Sequence, residues 1–261
     1  MNQQPTGMCM VCGKETKNRC SKCAGAGIDL FFCSLEHQKL VWPGHRIFCG
    51  SRAFPVSFPL LSKAEVASIV GNLDKIICCP TIDGQEVQIT LMDHIRQAAL
   101  PGMGVPETLT LILATSEEST ARPVFRNNPG KQQELLLFLR MSTESCIGTT
   151  SLRDGILTGL SRLCMCLADK GIMPYVPEYE RNQAELFHRF VVFHTLTAFT
   201  MRPNTIAEKM LATQRYGEAL KESEIAMYAF AERKFGKAFS EKLKEVIQLL
   251  KPRGHDFVVK P

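Results

Sequence analysis

Apolar positions in the last third of the chain recur at helical steps. Ile225, Tyr228, Ala231, Phe235, Phe239, Leu243, Val246 and Leu250 follow one another at intervals of three and four. That period marks one face of a helix, and Pro252 ends the run, with Gly236 standing in its middle. Upstream, Leu152, Ile156, Leu160, Leu163 and Leu167 form a second stripe, and Leu186, Phe187, Phe190, Val191, Phe193 and Ala198 form a broader one. The breadth of the latter predicts a central helix, covered on several sides. Ser62-Lys-Ala-Glu65 has the form of a capping box and precedes Val66, Ile69, Val70 and Leu73, which predicts a helix over 63–76. Cys78-Cys79-Pro80 stops it, and Asp83-Gly84 marks a turn. Residues 87–100 alternate briefly and then turn helical, while Leu109 to Leu113 is a short apolar run after the Pro101 to Pro106 turn cluster. Pattern alone leaves strand and helix open in both.

Two stretches interrupt this pattern. In Phe54-Pro-Val-Ser-Phe-Pro59 each proline pushes its predecessor out of helical geometry, so the stretch reads as an extended connector. Residues 122–130 carry two prolines, two asparagines and a glycine, the chemistry of a loop, and suggest a lobe boundary. The expected division is residues 1–52, a connector over 53–60, and a mainly helical domain over 61–261. Tyr216-Gly-Glu-Ala-Leu220 has no second copy at a repeat period and reads as a helix boundary at Gly217.

The first fifty residues lack such periodicity and carry eight metal-competent side chains instead. These fall as Cys9-x2-Cys12, Cys20-x2-Cys23, Cys33-x3-His37 and His45-x3-Cys49. Two intervening residues let one tight turn aim both sulfurs at an ion, and three put both ligands on one side of a helical turn. Eight ligands make two closed tetrahedral zinc sites. Such sites are structural, because no coordination position remains for water or substrate. So short a segment buries too little apolar surface to fold unaided, and metal binding supplies folding free energy on the order of 10 kcal/mol or more. Four pairs can be divided between two ions in three ways, and spacing does not choose among them.

These residues resemble the MYND zinc finger, whose pattern continues here through Phe32-Cys33-Ser34, Gln38, Trp42, His45 and Cys49. His37 stands where most members have a cysteine, and imidazole serves zinc equally well. The resemblance covers about a sixth of the chain. It implies interleaving, with Cys9, Cys12, Cys33 and His37 on one ion and Cys20, Cys23, His45 and Cys49 on the other. It also implies that Ser21, Gln38 and Trp42 contact proline-rich ligands of the Pro-x-Leu-x-Pro type. Gln38 and Trp42 are four apart, which on one short helix would set an indole slab beside an amide. The competing role for Trp42 is packing within the finger against Pro43 and Phe48.

Composition narrows the remaining classes. The chain is 45% hydrophobic and 22% charged, the balance of a globular protein. No apolar run approaches the length of a membrane span, and Met1-Asn-Gln-Gln-Pro-Thr-Gly-Met8 lacks a signal-peptide pattern. With zinc thiolates and scattered cysteines, this places the chain in the cytoplasm or nucleus. The formal charge is +5. Within the first fifty residues Lys14, Lys17, Arg19, Lys22, Lys39 and Arg46 outnumber Glu15, Asp29 and Glu36 by three, and two zinc ions on six thiolates bring that to +1. So weak a footprint disfavours nucleic acid.

Catalytic signatures are missing. The chain has no Gly-x-Ser-x-Gly, no phosphate loop and no His-Glu-x-x-His. It also lacks the Asn-His-x-Cys-x-Pro-Asn type of motif of the SET-domain methyltransferases in which some MYND fingers occur. His188 and His194 are six apart on one helix and face different sides, and Cys164 with Cys166 reads as a pair of small buried thiols. The reading that results is a zinc-stabilised MYND-type finger followed by a mainly α-helical domain. Its function would be that of a non-catalytic interaction adaptor, in transcriptional or regulatory complexes. The alternative is an enzyme, methyltransferase-like for instance, with an unrecognised site in the helical body.

Overall fold

The computed structural model describes residues 5–80, 86–119, 125, 128–147, 151–176, 178–201 and 205–250. Contacts divide the chain into two compact units, Met1–Ser57 with Thr150–Pro261 and Phe58–Thr149. This division does not follow chain order. The finger and the C-terminal helices form one body, whereas the serial expectation set the finger apart from everything after residue 60. The expected lobe boundary near 122–130 lies largely outside the described residues.

The first unit opens with a two-stranded antiparallel ribbon, β1 (Gly7–Met8) and β2 (Glu15–Thr16), and three short helices, α1 (Ser21–Gly25), α2 (Leu35–Leu40) and α3 (Trp42–His45). A 3-10 turn, Gly50–Arg52, follows.

The second unit begins at α4 (Lys63–Val70), where Ser62 Oγ accepts the Glu65 N–H at 3.2 Å and Glu65 Oε2 accepts the Ser62 N–H at 2.7 Å. The anticipated capping box is present. The helix stops six residues before the expected 76, because Gly71 follows it and the Asn72 side-chain amide bonds the Ser68 carbonyl at 2.8 Å. The chain then enters β3 (Ile76–Pro80), paired antiparallel with β4 (Glu86–Thr90). Thr90 ends β4 and caps α5 (Leu91–Ala98), its hydroxyl accepting the Asp93 N–H at 3.0 Å. The ambiguous segment is therefore strand first and helix second. Leu109 to Leu113 is helical, inside α6 (Val105–Ala114), which starts within the proline cluster with Pro106 in its first turn. A proline costs no hydrogen bond there. With α7 (Pro129–Ile147) these elements enclose Leu61, Ile69, Leu91, Ile95, Ile112 and Leu135.

The first unit resumes with α8 (Leu152–Asp169), α9 (Arg181–Met201), α10 (Ile206–Phe235) and α11 (Lys237–Leu250). Each packs on the next, and α11 returns to α8. Most positions of the stripes predicted on α8 and α9 are buried, including Ile156, Leu160, Leu163, Phe187 and Phe190, while Leu152 and Ala198 are half-buried. The long C-terminal pattern is two helices. At Gly236 the backbone takes φ 91° and ψ 167°, a region essentially reserved for glycine, and the chain folds back. Gly217 bounds nothing: it lies within α10, which begins at a capping box formed by Thr205 and Glu208. Among the described residues no helix is long and apolar enough to cross a membrane.

Candidate metal centre

The finger brings its eight ligands together in two groups of four. In the first, Cys9 and Cys12 come from the turn joining β1 to β2, which Gly13 closes at φ 70°, its N–H bonding the Cys9 carbonyl at 3.1 Å. Cys33 and His37 flank the first turn of α2, whose cap Ser34 accepts the His37 N–H at 3.2 Å. In the second, Cys20 and Cys23 begin α1, His45 ends α3, and Cys49 precedes the 3-10 turn. Within each group all four ligand atoms lie within 4.8 Å of one another.

The spacings fit tetrahedral zinc. Bonds of 2.0–2.3 Å imply ligand atoms about 3.4–3.8 Å apart. The first group has Cys12 Sγ to Cys33 Sγ at 3.6 Å, Cys9 Sγ to His37 Nδ1 at 3.6 Å and Cys33 Sγ to His37 Nδ1 at 3.2 Å. The second has Cys20 Sγ to Cys49 Sγ at 3.6 Å, Cys23 Sγ to Cys49 Sγ at 3.8 Å, and His45 Nε2 to Cys20 Sγ at 3.4 Å and to Cys23 Sγ at 3.8 Å. The two histidines present opposite ring nitrogens, Nδ1 from His37 and Nε2 from His45. The interleaved assignment is the one observed, and each site has three sulfurs and one nitrogen.

Without a metal ion these groups must share protons. The hydrogen bond from the Cys23 thiol, with that of His45, pulls Cys20 down to about 3, and the same bond pushes Cys23 up. Burial alone would lower His45, but hydrogen bonds to Cys20 and Cys49 raise it to about 9. A divalent ion relieves this crowding of thiolates, which is why such sites bind metal and release protons together.

Residues 9–49 match the family model described as the MYND finger. The N-terminal segment is a MYND finger. Its two Cys3His sites are consistent with two zinc ions. No curated protein and no solved structure matches the chain.

The MYND finger is seated on α9. Phe48 meets Phe187 edge to face at 5.0 Å between ring centres, His188 Nε2 donates to the Ala53 carbonyl at 3.0 Å, and Arg189 donates to the Met8 carbonyl at 3.4 Å. Arg181 donates to the Gly27 carbonyl. The supposed connector takes part in this packing, since Ala53 and Val56 are buried. Sequence reasoning passed over Arg189 altogether. Its one visible signal was a charge placed between Phe187 and Phe190 in an otherwise apolar stretch.

Of the anticipated peptide contacts, Ser21 is the exposed first residue of α1, Gln38 is half-buried on α2, and Trp42 is the first residue of α3. Gln38 and Trp42 do not share a helix. The backbone breaks at Val41, so the i to i+4 argument gives way to two short helices in contact. Trp42 is 40% exposed, with its indole 5.8 Å from the His45 ring. Phe48, one of its supposed packing partners, is buried. His188 is buried, as is Cys164, which lies 3.4 Å from the Tyr179 hydroxyl, while His194 and Cys166 are half-buried.

Proposed function

We propose that this chain is a non-catalytic adaptor whose MYND finger binds proline-rich peptides of the Pro-x-Leu-x-Pro type through Ser21, Gln38 and Trp42. MYND fingers are protein-interaction modules, and the observation that supports this ligand is the exposure of the chain's sole tryptophan. On α3, Gly44 and His45 are buried while Trp42 keeps 40% of its surface open. A tryptophan retained only for packing would be expected to bury its ring, whereas an exposed indole offers a flat face to proline rings. A proline-rich strand is already extended and loses little entropy on docking. Reduced zinc thiolates suit the cytoplasm or nucleus as the place of action.

The test is titration of the full chain with a Pro-x-Leu-x-Pro peptide while Trp42 fluorescence is followed, with a scrambled peptide as control. Saturable change with the first peptide alone, weakened by Gln38→Ala at unchanged zinc content, is the expected result. Equal binding by Gln38→Ala, or no saturable change in the wild type, overturns the proposal.

A further inference from the structure

Arg189 is the largest fully buried side chain among the described residues, with 1% of its surface exposed. A guanidinium stays charged in proteins, so taking it out of water requires compensation nearby. One partner is Glu185, a turn earlier on α9, at 3.1 Å. The face of Phe230 on α10 lies 4.5 Å from its central carbon. Arg189 donates one further bond, to the Met8 carbonyl at 3.4 Å, while its Nε and Nη1 are buried without an acceptor among the described residues. A second cation, Arg233, stands 5.8 Å from the same phenyl ring.

Two cations thus flank Phe230, and Glu185 offsets one of them. Met8, which receives the Arg189 hydrogen bond, is joined directly to Cys9, the first ligand of the first zinc site. Three thiolates and one histidine on a zinc ion carry a net charge of −1. We propose that Arg189 is the counter-charge of that site, a positioning residue through which α9 holds the Cys9 loop and favours zinc at Cys9, Cys12, Cys33 and His37. Burial and Arg233 outweigh the other influences on Arg189 and hold its pKa below the usual arginine range, while Glu185 and, less strongly, Cys9 favour its charge.

Among the described residues the second site has no such buried guanidinium. On this side of α9 stands His188, which burial pulls down to about 4 and so keeps neutral, and which bonds the Ala53 carbonyl. The two zinc sites therefore meet adjacent residues of one helix, one charged and one neutral. Removing the charge at 189 is expected to weaken the first site selectively. The inference does not rest on peptide binding.

The two histidine ligands make the sites separable. His37 is held through Nδ1 and His45 through Nε2, so long-range proton–nitrogen spectra of the full chain report the occupancy of each site during a chelator titration. In Arg189→Gln, zinc at the His37 site is expected to be lost at about 10-fold to 100-fold lower chelator activity, the usual range for an outer-shell partner, with the His45 site unmoved. Arg189→Lys, which keeps the charge without the fork, is expected to stay within a few-fold of wild type at both sites. Equal weakening of both sites in Arg189→Gln, no weakening, or a loss in Arg189→Lys as large as in Arg189→Gln overturns the assignment. Where Arg189→Gln yields no folded protein, Arg189→Lys decides alone: two retained zincs support the role of charge, and loss of the His37 site refutes it.

Discussion

A Cβ placed on Gly44 would stand 1.8 Å from Thr195 Oγ1 and 3.3 Å from Val191 Cγ1, so the third helix of the finger lies flush on α9. Glycine is required here for close approach, because no side chain fits between the two helices. The neighbouring residues of the same short helix face elsewhere, His45 towards the second zinc site and Trp42 towards solvent. Docking, metal binding and the proposed peptide contact therefore share four residues.

Gly44→Ala should destabilise the first unit by about 1–3 kcal/mol, the usual cost of overpacking. Thr195→Ala in the same chain should recover part of this. Its hydroxyl bonds the Val191 carbonyl of its own helix, but its Cβ would remain 3.1 Å from the new methyl. Denaturant unfolding of the single and double variants measures both effects. Equal stability of wild type and Gly44→Ala would contradict the close approach.

Freshly purified protein should hold two zinc ions per chain by elemental analysis, and Cys20→Ser should hold fewer. A freestanding finger would unfold by itself on chelation. The bonds from His188 to Ala53 and from Arg189 to Met8 predict a wider effect, with loss of protection in α9 as well. Hydrogen exchange of α9 amides with and without chelator measures this. Unchanged protection would mean that the helices are indifferent to the finger.

His194 is half-buried as a residue, but its Nε2 is enclosed without a partner among the described residues, and this burial of the ring lowers its pKa from 6.5 to about 4, which keeps it neutral. A pKa depressed by folding contributes stability that is complete above the unfolded value of 6.5 and is lost as pH falls through 4. From these values the loss by pH 5 is about 2 kcal/mol. Zinc release also destabilises the protein in acid, so the diagnostic quantity is the difference between wild type and His194→Asn. Their stability gap should change by about that amount between pH 7.5 and pH 5, against the wild type. A gap that stays constant over this range would show that His194 does not titrate as a buried neutral group.

In the second unit, Arg140 on α7 bonds Glu65 at 2.9 Å and the carbonyls of Pro59 and Leu60 at 3.0 and 3.2 Å, with only 2% of its side chain exposed. Burial would raise the Glu65 pKa, but the Arg140 charge and hydrogen bond keep it below the usual range. Arg140→Met removes one partner and leaves a carboxylate with only 14% of its side chain exposed, which should cost about 3 kcal/mol, the low end for a broken buried pair. Faster hydrogen exchange in α4 and α7 would report it. A loss below about 1 kcal/mol would place Glu65 in water.

What the sequence by itself determined is local. The four ligand pairs were legible because a zinc-binding turn is set by two or three intervening residues, and the Ser62–Glu65 box because a cap spans three. The stripes of α8 and α9 were legible because burial of one face repeats every turn. Other features depended on residues far apart in the chain. Among the described residues, neither Gly236 nor Gly217 carried its outcome in its local pattern: at Gly236 the helix yields to let α11 fold back on α10 and α8, while at Gly217 it continues. The pairing of four ligand pairs between two ions needed the finger's own tertiary path, since spacing allowed three divisions. The union of the finger with residues after 150, across a whole intervening unit, left no mark in the sequence beyond a misplaced arginine and an unremarked Gly44. Close packing of Gly44 on Thr195 and of Arg189 beneath Met8 arises between segments separated by about 150 residues or more, and only the folded chain brings such partners together.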